Sequence, residues 1–404
     1  MSEPLVIVGN GMAAARLCDE LARRALGRYA IAVIGAEPQL AYNRILLSSV
    51  LAGDVPASET LLKPATWWRD RGVTLRYGAA ATAVDTRERT VTLDDGKMLN
   101  FTKLVFATGS RAIRLPVGGC DLPGVLTFRD MSDVESIAGA ARRGTRVVVV
   151  GGGLLGIEAA YGLAKAGATV TLVHLMDRLM ERQLDARAAL LLKRAVEAKG
   201  VEVLLEVATS RFVGDGRVEA VEFKDGRIIA AEMVVVAVGI KPNAELANAA
   251  GLAVNRGIVV DDHLSSNTAD IFAIGECAEH RGVCYGLVEP AYDQARVLAE
   301  RFAGHNAKYD GSVNATNLKV SGVQVFSAGD FLGAAGTESI VFADPGLGTY
   351  KKLIVSDGHL AGAVLFGDTA DAPWYLDLIR TGAVIEPFRH EIVFGRALAE
   401  RRAA

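Results

Sequence analysis

Short apolar runs alternate with helically spaced stretches along the first three quarters of the chain. Leu5-Val6-Ile7-Val8 has the length of a buried strand and runs straight into Gly9-Asn10-Gly11-Met12-Ala13-Ala14. Apolar positions at helical spacing follow at Leu17, Leu21 and Leu26, and a second run, Ile31-Ala32-Val33-Ile34, closes in Gly35-Ala36-Glu37. The spacing predicts a β-α-β unit. The same layout returns at Val147-Val148-Val149-Val150, then Gly151-Gly152-Gly153-Leu154-Leu155-Gly156, a helix through Ala159, Leu163 and Ala164, and a strand over Thr169–Val173. Each half contains one more strand that ends in a glycine turn, Leu104–Gly109 in the first and Val234–Gly239 in the second. Two similar nucleotide-binding halves are the economical interpretation. A third such element, Ile271–Glu276, has no counterpart and is expected to complete the first half.

From about Ser321 the pattern changes to alternating segments, Val323–Phe326 and Lys352–Val355, separated by the turn signals Ala328-Gly329-Asp330 and Ser356-Asp357-Gly358. A small antiparallel sheet is expected there, with one or two helices, one of them over Trp374 to Arg380.

Composition narrows the function. The 404 residues suit two or three domains. With 44 Lys+Arg against 47 Asp+Glu, a net charge of −3, and half the residues apolar, disorder, nucleic-acid binding and a polybasic membrane surface are disfavoured. The longest apolar stretch, from Val147, is cut by Glu158 and Lys165, so no membrane span is expected. Met1-Ser2-Glu3-Pro4 has no basic region typical of a secretory leader, and a cytoplasmic protein is expected. Cys18, Cys120, Cys277 and Cys284 form no C-x-x-C, so no metal site and no disulfide framework is expected, and the four read as small buried hydrophobes. Glycine is in excess, 43 of 404 residues, ~11% against roughly 7% in average usage.

That excess has a chemical meaning at the two turns. A dinucleotide's pyrophosphate must be met without a bulky side chain in its way, by the free N–H groups and positive dipole end of a helix N-terminus. Gly9, Gly11, Met12, Ala13 and Ala14 fit this role in the first half, and Gly151, Gly153, Leu154, Leu155 and Gly156 in the second. The acid that holds a ribose 2′-OH belongs at the end of the second strand. Glu37 meets this in the first half. In the second half the strand ends at His174, followed by Asp177 and Arg178, which weighs toward NADH and leaves NADPH open through Arg178.

Taken together, Gly9-x-Gly11, Ala107-Thr108-Gly109, Gly151-x-Gly153-x-x-Gly156 with Glu158, Gly239-Ile240-Lys241-Pro242-Asn243 and Thr268 leading to Gly275-Glu276 resemble the two-dinucleotide-binding flavoproteins over nearly the whole chain. Tyr42–Ser49, His174–Asp185, Gly275–Gly282 and Val320–Asp330 are similar, more narrowly, to the flavoprotein portion of assimilatory NAD(P)H nitrite reductase large subunits, as far as Asp368 to Leu378. The resemblance implies an α/β fold of the glutathione-reductase type. It has two Rossmann-like dinucleotide-binding domains and a small α+β C-terminal domain: residues 1–112 and 243–320 for FAD, 113–242 for NAD(P)H, and 321–404.

The resemblance also implies roles. Arg44 is expected at the FAD phosphates, Ala81 at the adenine through its backbone, and Thr108 and Gly109 beside the flavin. Arg129 and Val288, the latter just before the helix Ala291–Gln294, are also expected to touch FAD. Gly239 belongs to the nicotinamide side, and Glu276, where the family carries aspartate, accepts from ribitol hydroxyls. Glu158 is the expected catalytic residue, near the nicotinamide. No cysteine occurs in the stretch that begins near Tyr42, so no disulfide or sulfenic-acid relay is expected. The implied function is an FAD-dependent NAD(P)H oxidoreductase that takes electrons from NADH and passes them through the flavin to a separate partner. That partner is an iron–sulfur carrier or a nitrate or nitrite reductase subunit. A stand-alone rubredoxin or ferredoxin reductase is the alternative. The clustered cysteines of iron–sulfur and sirohaem segments are absent, so this chain is not expected to reduce nitrite by itself.

Overall fold

The computed structural model describes residues 2–320 and 322–403, so Met1, Ser321 within the Val320–Asp330 stretch, and Ala404 lie outside the described residues. The chain divides into two compact units, residues 1–47, 55–112 and 240–312 in one and residues 48–54, 113–239 and 313–404 in the other.

In the first unit, short apolar runs build a five-stranded sheet with the more polar, more exposed Thr74–Tyr77 at one edge. Its order is Ile271–Ala273, Lys103–Phe106, Glu3–Val8, Tyr29–Gly35 and Thr74–Tyr77, and every pairing is parallel. The run Ile271–Ala273 does complete this sheet, on the outer side of Lys103–Phe106. Helix Met12–Arg24 packs against helix Val288–Phe302, and its buried stripe of Ala14, Leu17, Cys18 and Leu21 joins the core. The helix stops before Leu26, which is 73% exposed; Gly27 turns the chain there at φ +75°. The helix expected from Ala291 begins earlier, at Val288. Pro290 is accommodated in its first turn, where an N–H would have no intrahelical acceptor.

The second unit repeats the sheet: Val201–Leu204, Thr169–Val173, Arg146–Val150, Met233–Val236 and Val125–Thr127, all parallel. Val125–Thr127 occupies the place that Ile271–Ala273 has in the first sheet. It precedes its own glycine turn in the chain, which is why the repeat is not visible in sequence order. Residues 48–54 belong to this unit: a Cβ on Gly162 would lie 3.3 Å from Leu51 Cγ, and Lys165 pairs with Asp54. The C-terminal segment forms a five-stranded antiparallel sheet, ordered Ala315–Val320, Val323–Gly329, His359–Phe366, Thr349–Ser356 and Glu338–Asp344. Helix Ala372–Thr381 covers one face through Ala372, Tyr375, Leu376 and Leu378 and ends on left-handed Gly382.

Candidate functional site: two glycine turns

The two turns share the same backbone construction. Gly9 donates to the Ile34 carbonyl at 2.7 Å, and Ala107 donates to the Val8 carbonyl at 2.8 Å. In the second unit Gly151 donates to Val173 at 2.9 Å and Ala237 to Val150 at 2.8 Å. At Gly9, φ is +118° and an added Cβ would sit 2.0 Å from the Ala107 carbonyl oxygen; at Gly151, φ is +122° and the distance to the Ala237 carbonyl oxygen would be 2.2 Å. The first glycine of each turn is therefore required by the neighbouring strand. The second is not. Gly11 and Gly153 have extended backbones, and a Cβ on either would meet nothing within 4 Å.

That open space lies in front of a helix N-terminus. Gly11 caps Met12–Arg24 and Gly153 caps Leu154–Lys165, neither with a side-chain cap. The first capping-type bonds run from Ala15 to the Gly11 carbonyl and from Ile157 to the Gly153 carbonyl, so the amides of Met12, Ala13 and Ala14, and of Leu154, Leu155 and Gly156, have no intrahelical acceptor. Gly156 is held tight against the turn, because its Cβ would lie 1.8 Å from the Gly151 carbonyl oxygen. Two cradles of this kind fit two pyrophosphates.

Most residues expected at FAD lie in the first unit. Glu37, two residues past the end of its strand, accepts from the Tyr42 hydroxyl at 2.6 Å and pairs with Arg44, whose guanidinium lies 4.9 Å from the Tyr42 ring centre. Ala81 opens its strand close by, since Gly78 and Ala79 donate to the Glu37 and Gly35 carbonyls. Thr108 donates to the Asn243 carbonyl at 2.6 Å, and Asn243 returns Nδ2 to the Thr108 carbonyl at 3.0 Å and its N–H to Gly109 at 2.9 Å. Asn243, to which the motif alone assigns no role, holds this turn. Gly275 donates to the buried Gln294 Oε1 at 2.7 Å, and its Cβ would lie 3.1 Å from that of Ala13. Glu276 accepts from the Ser110 hydroxyl at 2.7 Å. Val288 is the first residue of its helix.

The remaining expected residues are in the second unit. Arg129 follows the strand Val125–Thr127, and its N–H donates to Asp133 at 2.7 Å. Gly239, at φ +125°, accepts from the Ile113 N–H at 3.0 Å. Glu158 stands on the helix behind the second turn. Burial pushes its carboxyl up to about 7, and the Ser48 hydroxyl beside it pulls the other way. The His174 side chain is 11% exposed, and both ring nitrogens have protein partners, Gly152 and Glu181.

The cysteines divide. Cys18 and Cys277 are buried, while Cys120 and Cys284 are partly exposed, which corrects the expectation that all four are buried. Burial pushes the Cys18 thiol up to about 12 and raises those of Cys277 and Cys284. Among the described residues no group of three or more His, Cys, Asp or Glu could hold a metal ion.

A parallel sheet of this order with a glycine cradle, present twice, defines a protein built on two dinucleotide-binding units. The chain belongs to the pyridine nucleotide-disulphide oxidoreductase family, whose model matches residues 3–296. Residues 315–383 match the C-terminal domain of rubredoxin NAD+ reductase. The chain is 45% identical over 382 residues to a nitrite reductase [NAD(P)H] of Bacillus subtilis, covering 94% of this chain and 48% of that protein. It is 41% identical over 374 residues to an assimilatory nitrate reductase electron transfer subunit of the same organism, covering 92% and 48%. The chain thus spans about half the length of these curated relatives. The solved ferredoxin reductase of the CYP199A2 system from Rhodopseudomonas palustris superposes with a TM-score of 0.89 at 26% identity, covering 100% of both chains. The chain is an NAD(P)H oxidoreductase of a family that uses FAD.

Proposed function

We propose that the chain is the electron-transfer component of nitrate or nitrite assimilation, taking electrons from NADH and delivering them through FAD to a separate iron–sulfur carrier or reductase subunit in the cytoplasm. The observation that carries this reading is a pair of open cradles with no reactive thiol at either. The thiols of the flavin-side unit, Cys18, Cys277 and Cys284, are free, and burial raises each above the ordinary cysteine range, which supports an electron route to an external acceptor without a disulfide relay.

FAD, when bound, supplies the change from two-electron to one-electron chemistry. The chain's own residues do the rest. Gly11 keeps the approach to the Met12–Ala14 amides clear, and Glu37 with Arg44 presents an acceptor for ribose and a cation for phosphate. Gly153 does the same for NADH in front of Leu154–Gly156. Glu158, with a carboxyl balanced near neutrality, can hold a proton on its carboxylate oxygen or release it in the working pH range.

The match of residues 315–383 to the rubredoxin reductase domain supports a second reading, a stand-alone rubredoxin or ferredoxin reductase. Anaerobic reduction by NADH followed by single acceptors separates the two. Reoxidation by a sirohaem or molybdenum reductase component, and not by ferredoxin or rubredoxin, supports the first; the converse supports the second.

A further inference from the structure

The block His174–Asp185 folds back over the second glycine turn and grips it on both sides of Gly152. The Gly152 N–H donates to His174 Nδ1 at 3.0 Å, and the Gly152 carbonyl accepts from the Met180 N–H at 2.9 Å. A Cβ on Gly152 would lie 2.6 Å from His174 Cγ and 2.8 Å from Leu179 Cδ2, so both side chains lie flush against the glycine. Because Nδ1 accepts, the hydrogen-bond pattern puts the ring proton on Nε2, which donates to Glu181 Oε2 at 3.0 Å. Met180 adopts φ +50°, a left-handed backbone uncommon for a non-glycine residue, and this turn returns the chain to Gly152.

The strand-end position thus carries an imidazole, and the carboxylate lies immediately behind it, brought from seven residues down the chain. Arg178, the cation a 2′-phosphate would need, is turned onto Asp177, its Nη1 at 3.1 and 3.0 Å from the two carboxylate oxygens.

We propose that His174 and Glu181 form a relay that sets nicotinamide selectivity: His174 positions the Gly152 peptide and so the turn that faces the pyrophosphate, and Glu181 places at the strand end the negative charge that disfavours the 2′-phosphate of NADPH. This rests on the second turn being the NAD(P)H site. In a unit of this kind the adenosine ribose lies at the end of the second strand, where a nearby carboxylate repels a phosphate and tolerates a hydroxyl. His174 and Glu181 act here as positioning and selectivity residues.

The test compares wild type with Glu181→Gln and His174→Ala. It measures bound FAD, KM and kcat with NADH and NADPH, and dissociation constants for NAD+ and NADP+ by calorimetry. Glu181→Gln keeps an acceptor for His174 Nε2 and removes the charge. Its KM for NADH should stay within about twofold, while its preference for NADH over NADPH, and for NAD+ over NADP+, falls about tenfold. His174→Ala should raise the NADH KM and the NAD+ dissociation constant about tenfold, with kcat and FAD content held. Variants that lose only thermal stability, with the selectivity ratio and the KM of wild type, overturn the relay. A wild-type protein that retains FAD and binds neither NAD+ nor NADP+ overturns the site assignment itself, and the relay with it.

Discussion

At Gly9 an added Cβ would collide with a backbone carbonyl, whereas at Gly11, two residues on, it would enter empty space. The two glycines of one fingerprint therefore fail in different ways. Gly9→Ala should destabilise the fold by roughly 2–4 kcal/mol, since it combines a left-handed backbone with a clash that no rotamer relieves. Gly11→Val should leave the denaturation midpoint almost unchanged and abolish FAD retention. Urea unfolding together with the visible spectrum of the purified variants distinguishes these outcomes. Glu158 gives a pH signature at the same scale. Its carboxyl releases its proton near 4.5 in the unfolded chain and near 7 in the folded one. The stability it contributes is thus fully present below about 4.5 and is lost as pH rises through 7. Glu158→Gln should remove this loss, leaving the variant more stable than wild type above pH 7 by up to ~3 kcal/mol. Denaturation series at pH 5 and pH 8 without nicotinamide check the sign.

At the scale of elements, Asp185 ties a helix to a sheet. It caps helix Ala186–Glu197 by accepting from the Ala188 N–H at 2.9 Å, and its other oxygen accepts from the Tyr350 hydroxyl at 2.6 Å. Lys352 Nζ lies 3.8 Å away. Asp185→Ala should cost about 2 kcal/mol, roughly 1 from the cap and 1 from the orphaned hydroxyl, and Tyr350→Phe about 1. A double-mutant cycle by chemical denaturation should show coupling of the pair. The strands and both glycine turns were legible from the sequence because buried parallel strands and sharp glycine turns are local signals. Less legible was what depends on chain segments meeting out of order. Val125–Thr127 joins its sheet from ahead of its own turn. Glu181 reaches the strand end only because left-handed Met180 turns the chain back, and nothing in residue spacing announces that turn. The partners of His174 at the strand end, Gly152 and Glu181, are likewise brought to it by the fold and not by spacing.

For the molecule as a whole, the sequence carried the class of chemistry further than the identity of the acceptor. Two cradles and a family match to residues 3–296 define an NAD(P)H oxidoreductase, and no helix among the described residues is long and apolar enough to cross a membrane. An acceptor is recognised by surface complementarity, which composition and spacing do not encode; the net charge of −3 does not select a partner. The proposed path runs from NADH through FAD to an outside acceptor, with no thiol between. The most direct test is anaerobic stopped-flow of the FAD-loaded protein after alkylation of its accessible thiols. NADH is predicted to bleach the flavin at the rate of unmodified protein, and the colour to return on adding at least two equivalents of one kind of one-electron carrier. Failure of both NADH and NADPH to bleach the flavin, or bleaching and recovery that disappear with thiol alkylation, would contradict it.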